Sequence, residues 1–333
     1  MVELIESMRS GGVAVVGAGG AGDIVSAYVT CRVLEDLFGV SRCIPVAVLW
    51  ERWVLDPFPG PIPREALKGV RDSDCVWLRH DSWVERPGYR FVPQASIIAR
   101  HAGVDVPGIV ADEGLSGFKK CLKEVTDSGY RHVMALDVGG DILAEGHEEW
   151  LWSPLTDALT LAAVADLDSS VGVLAPGADG ELPAWYVLER IEEAAELGGY
   201  LGSIGLWRDH VRIYEEILPH TKTEAGLIPY KALKGEMRKN HIREGSREVD
   251  INPTSPIIYI LTTQATLKLN KLANQLKNTE TLQQANQTAH KLQIPTELDL
   301  EKEIAKNHGT GPQTKPNWTK ARNNIHKQIK KQP

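Results

Sequence analysis

Two short stretches hold residue types that could do chemistry. The first is GVAVVGAGGAGD, residues 12–23, where an apolar run ends in Gly17, Gly19, Gly20 and Gly22 and is followed by Asp23. Gly17, Gly19 and Gly22 fit GxGxxG. Between a strand and a helix, that spacing gives a tight turn whose backbone N–H groups can approach a ligand. The helix start favours an anion there. Asp23 runs against a pyrophosphate, because its charge would repel one, yet it can bind hydroxyls, an amine or hydrated Mg²⁺. The second stretch is ALDVGGD, residues 135–141. Asp137 closes an apolar run, Gly139 and Gly140 permit a sharp turn, and Asp141 returns four residues later. Two carboxylates facing one volume raise each other's proton affinity. Such a pair can act as general acid and base or hold a metal, so Asp137 and Asp141 are the catalytic candidates. Purely structural roles are open for both stretches: a glycine turn for close packing with Asp23 facing the helix dipole, and Asp137 accepting loop amides with Asp141 in solvent.

Other acids also follow apolar runs. Glu51 stands 29 residues after Gly22, whereas a ribose-binding acid is expected about twenty residues on. An NAD(P)-dependent oxidoreductase using Glu51 is therefore an alternative to a smaller nucleotide-like or phosphorylated ligand, and Asp112 and Glu113 join the binding candidates. Trp50, Trp53, Trp77, Trp83, Trp150 and Trp152 fall in or after strand-like runs, where an indole can stack on a base or sugar, fill the core or meet a partner. His80 and His147 could carry protons, but no histidine has metal-ligand spacing. Ser116 and Lys119 make an isolated SxxK without the companion motifs of enzymes that use it.

These residues need a scaffold that gathers strand ends. Apolar runs near 13–17, 44–50, 75–79, 108–112, 132–137 and 171–175 alternate with helical patterns near 22–38, 114–128, 153–166, 183–198 and 208–218. That order predicts βαβ units and a three-layer α/β fold with a mainly parallel, Rossmann-like sheet. The runs lack strict alternation, as strands covered on both faces do. Ligands in such sheets bind beyond the carboxyl ends of the strands, near the switch point. Residues 51–70 carry Pro57, Pro59, Pro61 and Pro63 and read as a long loop over the sheet's mouth.

Composition shifts near residue 236. The first 235 residues hold no asparagine and one glutamine, whereas the rest holds ten and nine, and net charge changes from −14 to +7. We therefore divide the chain into a Rossmann-like core (1–235), a C-terminal β/α extension on the same core (236–308) and a basic flexible or helical tail (309–333). In the extension, REVDIN and PIIYILTT read as strands, and 264–276, 279–291 and 299–306 as helices. The acidic body disfavours nucleic acid. No apolar run is long enough to cross a membrane and the start lacks a signal-peptide pattern, so a cytoplasmic protein is expected, with a homo-oligomer left open. Cys31, Cys43, Cys75 and Cys121 form no CxxC pair and read as buried thiols.

The motifs GAGGAGDIVSA, ALDVGGD, SPLTDALTLAA, HIREGSREV and TELDLEKE occur in this order over roughly residues 10 to 306. Together they resemble the domain-of-unknown-function family 1152, found in archaea and some bacteria. The resemblance implies a soluble α/β protein and carries no reaction with it. From the residues themselves we expect a small-molecule ligand between the Gly17–Asp23 loop and the Asp137–Asp141 turn, handled by acid/base or Mg²⁺-assisted chemistry. A non-catalytic sensor or assembly protein is the alternative from another class.

Overall fold

The computed structural model describes residues 2–243, 245, 247–311 and 316–329. Helix α1 (Val2–Gly11) leads into β1 (Val13–Gly17), α2 (Asp23–Phe38) and β2 (Cys43–Val48). The proline-rich segment beyond holds one helical turn, α3 (Arg52–Leu55), then short strands β3 (Leu67–Lys68), β4 (Arg71–Asp72), β5 (Val76–Leu78), β6 (Trp83–Arg86) and β7 (Tyr89–Phe91). Helix α4 (Gln94–Ala102), β8 (Val106–Ile109), α5 (Gly114–Asp127), β9 (His132–Val138), α6 (Pro154–Val164), β10 (Ser169–Leu174), α7 (Ala184–Glu196) and β11 (Tyr200–Gly205) follow. Next come α8 (Val211–Ile217), α9 (Leu227–Leu233), the paired strands β12 (Lys239–Ile242) and β13 (Arg247–Asp250), and β14 (Ile257–Thr262). The chain closes with α10 (Thr263–Leu269), α11 (Lys271–Leu276), α12 (Leu282–Lys291), α13 (Glu297–His308) and α14 (Trp318–Ile329).

The central sheet has nine strands in the order β11-β14-β10-β9-β1-β2-β8-β5-β4. Its middle five, β10-β9-β1-β2-β8, pair in parallel. The chain runs outward from β1 through β2 to β8, then returns to the other side of β1 for β9 and β10, which puts the switch point between β1 and β9. Alternate residues of β1 serve two cores: Ala14 and Val16 face the layer containing α5, α6 and α10–α12, and Val13 and Val15 face the layer containing α2, α4, α8 and α9. Strands buried on both faces explain the unbroken apolar runs in the sequence. Helix α6 is buried along its whole length.

Several expectations need correction. The run at 75–79 gives β5, which pairs antiparallel to β8. REVDIN forms β13, but it pairs with β12 in a separate two-stranded sheet, whereas PIIYILTT enters the main sheet as β14, antiparallel to β10 and β11. The helix read over 264–276 breaks at Asn270, whose side chain accepts from the Ala273 amide and starts a second helix. The cysteines are not free thiols: Cys31 pairs with Cys43 at a Cα separation of 5.3 Å, and Cys75 with Cys121 at 4.3 Å. Separations of 12 and 46 residues hide the pairing, because βα folding, not local spacing, brings the sulfurs together. The tail read over 309–333 lies partly outside the described residues, which there are 309–311 and 316–329. Within it, α14 packs Ala321, Ile325 and Ile329 against Leu300 and Ile304 of α13.

Candidate active site

The glycine loop after β1 is shaped from within. An added Cβ on Gly17 would fall 2.7 Å from the Asp23 carbonyl carbon, and Gly20 holds φ at +77°. The loop amides are already engaged: Ala18 N–H donates to Leu136 O, Gly20 N–H to Gly17 O and Ala21 N–H to Trp50 O. Gly19 N–H donates to Asp23 Oδ2 at 3.0 Å. Asp23 thus supplies the negative charge that the loop and helix start invite, and the expectation of a phosphate cradle at these amides is corrected: they are occupied by the chain itself.

Asp23 also faces other acids. Asp137 ends β9 and its Oδ2 accepts the Ile142 amide at 2.8 Å. Gly139, at φ +135°, lets the turn pass Asp179; an added Cβ would lie 1.8 Å from Asp179 Oδ2. Asp141 follows, Asp157 comes from the first turn of α6, and Asp179 and Glu181 come from the loop after β10. The Asp23 and Asp157 carboxyls flank Gly19, at 2.9 and 3.3 Å from where its Cβ would be. All six acids line one cavity of about 660 Å³. Its other walls include Arg52, Trp53, Lys222, Thr223, Arg243 and Trp318. The cavity opens at the carboxyl ends of β1, β9 and β10, at the switch point where an open α/β sheet receives ligands.

Burial and crowding push these carboxyls toward their neutral forms. Burial raises Asp23 to about 7, against the amide of Gly19. Burial, with the adjacent carboxyl of Glu181, raises Asp179 to about 6. Asp137, Asp141 and Asp157 are at most 4% exposed, and each rises well above the ordinary carboxylate range through burial and then through neighbouring acids. Glu181 is the exception. Burial opposes its charge, but Arg247 and the Ser153 hydroxyl together hold it below the usual value. Asp141 sits beside the carboxyls of Asp179 and Glu181, whose charges oppose its own ionisation. Its Oδ1, the Oδ1 of Asp157 and the Nε of Arg52 are buried with no partner.

A frame of longer acids holds the walls. Arg52, with left-handed backbone (φ 54°), donates to Gly19 O at 2.9 Å, Thr156 Oγ1 at 3.1 Å and Glu297 Oε1 at 3.2 Å. Glu297 accepts the Leu155 and Thr156 amides at the start of α6. Glu301, one turn along α13, accepts from Trp50 Nε1 and Gly60 N–H. Glu181 accepts the Trp152 and Ser153 amides, and Arg247 lies 3.7 Å from it while stacking on Trp152. The motifs TELDLEKE and HIREGSREV therefore reach the site from the C-terminal part of the chain.

Of the residues expected in the site, Gly19, Gly20, Gly22, Asp23, Asp137 and Asp141 line the cavity. Gly17, Gly139 and Gly140 shape the turns behind it. Glu51, Asp112 and Glu113 are not brought there. Glu51 accepts the Gln94 amide at the start of α4 and the Gln94 side chain, so a ribose-binding role for it is corrected to a helix-start role. Glu113 pairs with Arg64. Among the described residues, no three His, Cys, Asp or Glu side chains converge as metal ligands, so the acids do not fit a preformed Mg²⁺ site. Asp157, Asp179, Glu181, Arg52 and Arg243 escaped the sequence reading. Three of them had a signal: Asp157 is the sole charge in PLTDALTLAAV, and PGADGE after β10, which holds Asp179 and Glu181, repeats the strand, glycine, acid order of ALDVGGD.

A family model described as "Protein of unknown function (DUF1152)" matches residues 14–305. No curated protein and no solved structure matches the chain.

Proposed function

The chain belongs to the DUF1152 family, and from that premise we propose that it is an enzyme that takes a small polar, nucleotide-like or phosphorylated metabolite into the crevice between β1 and β9 and works on it by proton transfer. The observation that carries this reading is the convergence of Asp23, Asp137, Asp141, Asp157 and Asp179 on one cavity at the switch point. A group with proton affinity near neutrality is matched to general acid/base work, and Asp23, at about 7, has it. Asp137 and Asp141 face the same volume, with an unpartnered oxygen on Asp141.

The charge distribution orients the ligand. Its hydrogen-bond donors go toward the aspartates, and an anionic group goes toward Lys222 and Arg243, which line the same cavity. A planar group has Trp53 and Trp318, packed edge to face at 6.2 Å, beside it. A nicotinamide dinucleotide is supported less, because the loop amides and Glu51 that would hold it are bonded within the chain.

The test is identification of small molecules released from the purified full chain by mass spectrometry, followed by turnover assays on what is found. Asp137→Asn and Asp141→Asn should each lower turnover about a hundredfold or more while the fold persists. Unchanged turnover and affinity in both variants would remove the proposal. Tight stoichiometric NAD(P) binding would replace it with the oxidoreductase reading.

A further inference from the structure

The cavity's charge is out of balance. Its lining carries seven acids against three bases: Arg52 pairs with Glu297, outside the lining, at 3.2 Å, and Arg243 pairs with Glu224, one of the seven, at 3.5 Å. Among the described residues, none of Asp23, Asp137, Asp141 and Asp157 forms an ion pair. Nearby carboxylates in a buried site cannot all ionise, so the cluster must take up protons or receive positive charge from outside. A divalent ion is poorly served, since no three acids converge at ligating distance among the described residues.

An independent feature points to a ligand. The carboxyl groups of Asp141 and Asp157 line the cavity, are 4% and 2% exposed, and each keeps a buried Oδ1 without any hydrogen-bond partner. Buried acceptors left unsatisfied are costly unless something fills them. What they need is a compact donor with several N–H bonds and a positive charge. An alkylammonium group has three donors and no acceptor.

We propose that the end of the substrate seated at the cavity floor carries a protonated amine, held by Asp141 and Asp157 with Asp137 and Asp23 beside them. This deepens the proposed function and rests on that reading of the cavity as a ligand site. Chemically, the bound R–NH₃⁺ replaces protons held by the cluster: carboxyls that were neutral ionise, and their protons leave to solvent. Trp53 and Trp318, which also line the cavity, leave the rest of the ligand an apolar or planar contact. The substrate class is then an amino-bearing metabolite rather than a purely hydroxylated one.

Calorimetric titration of the full chain with 1,4-diaminobutane and with its neutral isostere 1,4-butanediol, at pH 7 in buffers of different ionisation enthalpy, tests this. The diamine should bind saturably and at least about tenfold more tightly than the diol, as expected when charge-assisted hydrogen bonds are gained, with protons released in proportion to binding. Asp157→Asn and Asp141→Asn, each checked for an intact melting transition, should weaken the diamine about tenfold and leave the diol unchanged. Equal binding of diol and diamine, or diamine binding without proton release, overturns the amine assignment. If ribose 5-phosphate or AMP binds in an Asp157-dependent way and the diamine does not, the amine assignment falls and the ligand site stands. If none of these probes binds and no metabolite is released from the protein, both fall.

Discussion

The raised aspartates make the folded chain an acid-stabilised molecule. Asp23 moves from 3.8 to about 7 and Asp179 from 3.8 to about 6 on folding. Between the two values of each group the folded state holds a proton that the unfolded chain has released. The stability tied to each is therefore complete below about pH 4, falls as pH rises through the folded value, and is flat beyond it. From pH 5 to 8, Asp23 titrates over about two units and Asp179 over about one, about 4 kcal/mol together at 1.36 kcal/mol per unit. Both side chains keep partial contact with solvent, which cuts the expected loss to roughly 2 kcal/mol. Asp137, Asp141 and Asp157 act with the same sign, as do the buried Glu51 and Glu301 outside the cavity, whereas the stability tied to Glu181, shifted down, is lost only as pH falls below its unfolded value. Urea midpoints followed by circular dichroism at pH 5, 6, 7 and 8 measure the slope. Asp23→Asn is the sharpest perturbation, because an amide oxygen can still accept the Gly19 N–H. It should flatten the profile and be the more stable protein at pH 8. A wild-type midpoint that climbs from pH 5 to 8, or an unaltered slope in the variant, would refute the assignment of buried, proton-holding aspartates.

Gly139→Ala should lower stability by about 2–3 kcal/mol, since its φ of +135° and the carboxyl of Asp179 at 1.8 Å leave no room for a methyl group; a melting temperature equal to wild type would contradict the turn. Glu301→Leu strips the Trp50 indole and Gly60 amide of their acceptor and should cost about 2–4 kcal/mol in urea denaturation. Cys121→Ser opens a loop of 46 residues closed by the Cys75–Cys121 disulfide, worth about 4 kcal/mol of loop entropy. Its denaturation midpoint should match that of wild type kept in reductant, and a midpoint indifferent to both treatments would argue against the bond. Arg52→Met should destabilise the α6 start by about 3 kcal/mol by leaving the buried Glu297 without its cation, read as a shift in urea midpoint.

The sheet was legible where it is covered on both faces. VAVVG, CIPVAV and HVMALDV have no solvent side, so their unbroken apolar character marks them. Strand β11 was missed because it is the edge strand and reads YLGSIG, mixed and half-exposed. Helix α4, QASIIARHA, is too short for its period to stand out. In the site, acids after β1 and β9 were found by the rule that strand ends carry function. The same rule misplaced Glu51 and Asp112, which follow β2 and β8, on the side of β1 away from the switch point. Asp157 could not be found that way, since it sits on a helix and reaches the crevice only because α6 is buried over β9.

Proton affinity alone does not separate working acids from structural ones in this protein. Glu51 and Glu301 are both raised to about 7 by burial, as Asp23 is, yet neither lines the cavity. What separates them is who answers their oxygens. Glu51, Glu181, Glu297 and Glu301 each accept backbone amides, three of them at or just before a helix start, where a carboxylate is held by N–H groups that would otherwise lack partners. Their longer side chains span from one element to another. The aspartates are short, fixed to the turns that carry them, and two keep an oxygen that nothing in the chain satisfies. An acid that bridges elements has its oxygens answered by the chain, whereas an acid left unanswered destabilises the fold until a ligand or proton arrives. On that distinction the glutamates are the frame and the aspartates the site.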